Sequence, residues 1–257
     1  MSSIGTGYDL SSSTYSLDGR IFQVEYAMKA VDNSGLCIGV RAKDGVVLAI
    51  SKLVHSKLLV PKSNKRIASV DQHIGMVCPG LVADGKALIK RARLEAQNYK
   101  DNYRLPISGK MIADRMGQFV QAYTLYSSVR PFGCSTLIAT YDEVGPSLYM
   151  IDPSGVYWGY FGCAVGKNKQ IAKAEIEKLK LKEITAREAV MEVARIIYSV
   201  MEDDIKDRDY EIEYTWICDE SNKKHTEVPS DLVEEAEKKA KESLDDDDDD
   251  DDMDDDE

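Results

Sequence analysis

The chain has 257 residues, with 33 Lys and Arg against 45 Asp and Glu, a formal net charge of −12. Residues 245–257 carry 12 of those acids and no base, so the remaining 244 residues balance 33 acids with 33 bases. An electroneutral body lacks the local excess of cations that nucleic-acid binding needs to displace counterions from phosphate. No apolar stretch approaches the ~18 residues that span a bilayer.

The body, with 43% hydrophobic and 30% charged residues over the whole chain, has a globular composition. The segment from Met1 to Gly7 has neither a basic region nor an apolar core, so secretion is not expected. Cys37, Cys78, Cys134, Cys163 and Cys218 are dispersed, odd in number and free of CxxC spacing, as reduced thiols packed as small hydrophobes would be.

Residues 1–18 are rich in Ser, Gly and Thr without periodicity and read as a flexible arm. Ile21, Val24, Ala27 and Met28 recur at helical spacing and predict a helix over Arg20–Val31, with Asp18 as its N-cap. Two hairpins follow, Leu36–Arg41 with Val46–Ile50 around Lys43-Asp44-Gly45, and Arg66–Val70 with Ile74–Cys78. Helices are expected from Leu81 to about Asn98 and from Gly109 to Ser127, then strands at Ser135–Tyr141, Ser147–Ile151 and Val156–Phe161. Helices at about Asn168–Leu181 and Ala186–Met201, a strand near Glu211–Ile217 and a polar helix near Asp231–Ser243 complete the body. Hairpin blocks alternating with helix pairs argue against a parallel βαβ sheet. They predict an α+β fold, a four-layer α-β-β-α sandwich of two antiparallel sheets.

Little in the chain looks catalytic. His55, His73 and His225 form no metal-binding pair and read as ordinary surface or loop histidines, and no phosphate loop or GxSxG elbow appears. Loss of Met1 would expose Ser2, an N-terminal hydroxyl with its own amine as base, but Ser2 lies far ahead of the first strand. No cofactor or metal is expected. Residues 245–257 repel one another too strongly to fold and read as a disordered acidic tail, either solubilising or a docking site for a regulator. Ser243, followed by Leu244-Asp245-Asp246, fits an acidophilic kinase site.

The segment Tyr8-Asp9, a Ser/Thr spacer, then Asp18-Gly19-Arg20-Ile21-Phe22-Gln23-Val24-Glu25-Tyr26-Ala27 closely resembles the signature of proteasome alpha subunits. Further matches follow in order at Gly80-Leu81-Val82-Ala83-Asp84, Val129-Arg130-Pro131-Phe132-Gly133, Asp152-Pro153-Ser154-Gly155 and Ala164-Val165-Gly166. The resemblance implies the Ntn-hydrolase fold over residues 19–244, in a seven-membered ring stacked on the proteolytic beta ring. In the related beta subunits a Thr nucleophile works with an acid and a Lys; here Gly35, Ser51 and Arg66 fall at those positions, so a catalytically silent chain is implied.

By the same resemblance residues 1–18 are a gate arm, with Tyr8, Asp9, Leu17 and Tyr26 at the positions of the family's gate cluster. Leu17 replaces the family's Pro and leaves the turn less rigid. Arg66 and Gly80 stand where the family docks the C-terminal tails of regulators. The implied partners are six other alpha subunits, the beta-ring subunits, and regulatory-particle ATPases and other activators, in cytoplasm and nucleus, with neither nucleic acid nor membrane. Two other readings stand beside this one: an amidohydrolase using Ser2, and a chaperone of basic proteins acting through the tail.

Overall fold

The central strands of both sheets are buried on both faces, and that arrangement follows from the strand sequences. The computed structural model describes residues 7–202, 204 and 209–251, with 244–251 described by backbone alone. The elements, in chain order, are α1 (Phe22–Asp32), β1 (Cys37–Arg41), β2 (Gly45–Leu53), β3 (Ile67–Asp71), β4 (Ile74–Val77), α2 (Val82–Tyr103) and α3 (Gly109–Ala122). They continue with β5 (Thr136–Asp142), β6 (Gly145–Ile151), β7 (Tyr157–Tyr160), β8 (Gly162–Val165), α4 (Lys169–Lys178) and α5 (Ala186–Val200). The chain closes on β9 (Tyr210–Cys218), β10 (Thr226–Glu227) and α6 (Ser230–Asp251).

The strands form two five-stranded antiparallel sheets, in the orders β10-β9-β2-β1-β8 and β3-β4-β5-β6-β7. Alternate residues of β2 explain the layering. Val46, Leu48 and Ile50 meet Val77, Leu137 and Leu148 of the facing sheet, whereas Val47 and Ala49 pack outward with Val190, Val193 and Ile197 of α5. The second sheet turns its outer face to α2 and α3, through residues such as Ile74, Met76, Leu88 and Ile112. The result is the α-β-β-α sandwich expected from the sequence. All five cysteines are free and buried within it.

The structure corrects several local expectations. The N-cap of α1 is Ile21, in an extended conformation with no side-chain cap, while Asp18 sits in a turn closed by Gly19 N–H to Ser16 O at 2.9 Å. Strands β8 and β10 were not expected. Val156–Val165 reads as one aromatic and apolar run, but Phe161 bends the chain out of one sheet and Gly162 enters the other. Only tertiary pairing reveals that switch. The two residues of β10 are too few to show a period.

Helix α5 is specified locally, by a capping box in which Thr185 Oγ1 accepts from Glu188 N–H at 3.2 Å and Glu188 Oε2 from Thr185 N–H at 2.7 Å. Its end is pinned further by Ala186 N–H donating to Asp44 Oδ1 at 2.6 Å. Helix α6 lies along α5 through Leu232, Ala236 and Ala240. Its backbone stays helical to Asp251, beyond the expected end at Ser243 and into the acidic run. A helix anchored along its first turns propagates more readily than it nucleates, which favours this extension despite poor propensity. Residues 252–257 of the expected tail lie outside the described residues. No described helix is long and apolar enough to cross a membrane.

His225 differs from the surface or loop histidine expected. Its ring packs against Gly75, where an added Cβ would meet Cδ2 at 2.2 Å, and Nδ1 shares a 2.7 Å hydrogen bond with Ser69 Oγ. Burial pushes its pKa down from the ordinary value near 6.5 to about 4. The unfolded chain therefore binds a proton as pH falls below ~6.5, and the folded chain only near 4. The stabilising contribution of the neutral ring is complete above that window and is lost within it. Urea midpoints followed from pH 7 to pH 4 should fall, and His225→Gln should flatten that part of the profile.

Candidate functional site

The turn before β1, the end of β2, the start of β3 and the entrance to α2 converge on one rim of the inter-sheet space. There they enclose a cavity of about 560 Å³ lined by Gly35, Ser51, Lys52, Arg66, Gly80 and Lys167, among others. Gly35, Ser51 and Arg66, expected at the catalytic positions, and Arg66 and Gly80, expected at the docking pocket, thus line one cavity.

Its chemistry is sparse. A Cβ on Gly35 would stand 2.1 Å from Ser51 O, so no side chain fits there without movement of the backbone. Ser51 is buried, with Oγ directed to Leu36 O at 3.3 Å and its own N–H bonded to the same carbonyl at 2.8 Å. Arg66 Nε donates to Asn64 Oδ1 at 3.1 Å, and burial holds its pKa below the usual value. Lys52, which sequence reasoning passed over, is 3% exposed in its side chain and lies 3.4 Å from Glu211 and 3.2 Å from Glu213. Glu213 also accepts from the N–H groups of Arg66 and Ile67, at 2.8 and 3.3 Å. Neither glutamate stands out in a strand of alternating acids, because the role of each comes from β9 lying beside β2.

Gly80 has φ +124°, and a Cβ there would meet Gly133 O at 2.2 Å, so both conformation and space demand glycine. Its segment is locked to the Arg130 segment. Arg130 donates twice to Asp84, at 2.6 and 3.0 Å, and Gly133 N–H donates to Asp84 Oδ2 at 2.9 Å. The Arg130 guanidinium holds the Asp84 carboxyl below its usual range.

The residues of the expected gate cluster are only partly assembled. Asp9 and Tyr26 come together, with Tyr26 Oη 3.4 Å from Asp9 Oδ2. Gln23 Nε2 donates to Asp9 O, a contact the sequence did not signal. Tyr8, half-buried, precedes Asp9 in the same turn, whereas Leu17 is 90% exposed at the tip of the Ser16–Gly19 turn. Ser12, indistinct within a Ser-rich run, is buried and donates to Tyr126 O at 2.7 Å and Val129 O at 3.1 Å. These bonds tie residues 9–12 to the body. Residues 1–6, including Ser2, lie outside the described residues.

Ser243 lies within α6, its Oγ donating to Ala240 O at 2.9 Å. No cluster suited to a metal ion occurs among the described residues.

Comparison with known proteins places the chain in a family. Residues 31–215 match the family described as proteasome subunit, and residues 8–30 match the N-terminal signature of A-type proteasome subunits. The chain is 59% identical to the alpha type-3 proteasome subunit of Acanthamoeba castellanii, over 95% of this chain and 96% of the relative. It is 55% identical to the alpha type-3 proteasome subunit of Oryza sativa subsp. japonica, over 95% and 98%. To the probable alpha type-7 proteasome subunit of Schizosaccharomyces pombe the identity is 53%, over 95% and 96%. With both family segments matched in order and relatives this similar over nearly their full length, the chain belongs to the proteasome alpha subunits.

Proposed function

We propose that this chain is a non-catalytic structural and gating subunit of the 20S proteasome core, part of the outer alpha ring that controls substrate access and docks regulatory particles. The observation that carries the reading is the chemically blank rim. Where a nucleophile would begin β1 stands Gly35, closed to any side chain by Ser51 O. Ser51 supplies no carboxylate, and the guanidinium of Arg66 stays protonated even with its pKa lowered by burial. Lys52 and Lys167, the amines that line the cavity, are engaged by carboxylates, Lys52 by Glu211 and Glu213 and Lys167 by Asp204.

A role in assembly is supported by apolar side chains left in water. Leu58, Val60 and Trp158 are 95%, 70% and 64% exposed. Expressed alone, the chain should show no peptide hydrolysis and should self-associate on light scattering. Hydrolysis abolished by Ser2→Ala would favour the amidohydrolase reading instead. Salt-sensitive histone binding that needs residues 245–257, with no ring assembly, would favour the chaperone reading.

For the gate, residues 1–18 act as an arm seated through Asp9 on Gln23 and Tyr26 and through Ser12 on the Tyr126–Val129 loop, with Tyr8 and Leu17 completing the cluster as partners bring it together. For docking, Arg66 and Gly80 border the cavity of about 560 Å³, and the guanidinium offers a charge for a terminal carboxylate. Six other alpha subunits, beta subunits and activators are the partners on this reading, in cytoplasm and nucleus. Deleting residues 2–9 should raise basal peptide hydrolysis by the assembled particle, and unchanged rates would remove this arm from the gate. Arg66→Glu should weaken activation by a regulator about tenfold or more, from loss of a charged hydrogen bond, without raising the basal rate.

Ser243 is a phosphorylation site on the same reading, exposed to a kinase when the end of α6 frays. Added phosphate beside Asp245 near a helix C-terminus would promote that fraying. Intact-mass measurement of this chain from purified particles should show a species heavier by one phosphoryl group, absent in Ser243→Ala.

A further inference from the structure

The inter-sheet space opens a second time, where β3 approaches β10, into a cavity of about 630 Å³ beside α2. Lys65, Arg66, Lys86, Lys90 and Arg93 line it, against two carboxylates, Glu213 and Glu227. Both carboxylates are already committed. Glu227 is paired with Lys65, and Glu213 with Lys52 and the backbone N–H groups that open β3. The cations are less fully matched. Lys86, Lys90 and Arg93 fall at i, i+4 and i+7, on one face of α2. Arg93 Nε donates to Ser69 O at 2.9 Å, while the amines of Lys86 and Lys90 have no ion pair or hydrogen bond among the described residues.

A further group points to a ligand. Thr215, 3% exposed on β9, lines the cavity with an Oγ1 that is buried and has no partner. His225 also lines it, although its unpartnered Nε2 is turned onto Gly75, its other nitrogen being bonded to Ser69. Buried polar groups are normally satisfied, so the orphaned Thr215 hydroxyl beside uncompensated cations marks a place where an acceptor is missing. A volume of this size is ordinary for a small-molecule site and larger than one inorganic phosphate requires. The donors approach from α2 and from β9. A phosphoryl group, with three acceptor oxygens directed apart, can meet them where a planar carboxylate meets fewer. The acidic end of this chain is badly placed to fill the cavity, because α6 leaves β10 and carries its last turn away by about 33 Å along its axis.

We infer that this cavity binds a small polyanion bearing phosphoryl groups, held by Lys86 and Lys90 at its mouth and by Thr215 at its floor. The site lies beside the Gly35–Gly80 cavity and shares only Arg66 with that rim. Lys86, Lys90 and Thr215, which hold the polyanion, take no part in the gating or docking assigned above.

The test is calorimetric titration of the purified core particle containing this chain with sodium tripolyphosphate at low salt. Wild type should show saturable binding of one tripolyphosphate per copy of the chain. The Lys86→Ala/Lys90→Ala variant, altered only on an exposed helix face, should weaken that component at least tenfold. Thr215→Val, which keeps the shape and removes the hydroxyl, should weaken it about fivefold or more. Citrate should bind wild type at least tenfold more weakly than tripolyphosphate. Absence of saturable binding to wild type, binding that both variants leave unchanged, or citrate binding as tightly as tripolyphosphate would overturn the inference.

Discussion

The apolar layer between the two sheets is the constraint on which the rest of the structure depends. Leu48 on one side and Leu137 and Leu148 on the other are each at most 1% exposed. Burial on this scale is the dominant favourable term in folding. Because the outer faces are covered as well, by α4, α5 and α6 on one sheet and α2 and α3 on the other, polar side chains are driven to the rims of the cleft. The openings at Gly35 and at Thr215 are therefore the places where this fold can do chemistry or bind ligands, and both carry charges.

Those two rims use their charges differently. At the Gly35 rim, Lys52 is paired with Glu211 and Glu213, and Glu213 braces the start of β3, which leaves shape and Arg66 as the features on offer. Buried ion pairs of this kind add little net stability, yet loss of one partner would strand the other in a poorly solvating site. At the Thr215 rim the acids are already occupied, and positive charge is left uncompensated. One scaffold thus presents a closed charge network and an open one at neighbouring edges.

The family signatures acquire a physical meaning in the folded chain. Asp84 and Arg130, 46 positions apart, form a two-pronged ion pair, and Gly133 donates its N–H to the same carboxylate. This fixes the turn into α2 against the loop that receives Ser12, so the entrance to the cavity and the seat of the arm are mechanically joined. Motifs distant in the chain are parts of one rigid frame around the rim.

Periodicity in the sequence was sufficient for the helices, most strands and the four-layer stacking, because apolar residues that must be buried recur with the geometry of the element that buries them. The signature segments were sufficient for the family. The switch between sheets at Phe161, the N-cap at Ile21, the anchoring of Ser12 and the pairing of Lys52 with β9 were decided only in three dimensions. Each depends on residues far apart in the chain, whose proximity is set by strand order and layer packing, and local pattern carries no record of that. The orphaned hydroxyl of Thr215 is the clearest case. In the sequence it is one β-branched residue in a strand, and only the approach of β3, β10 and α2 turns it into part of a site.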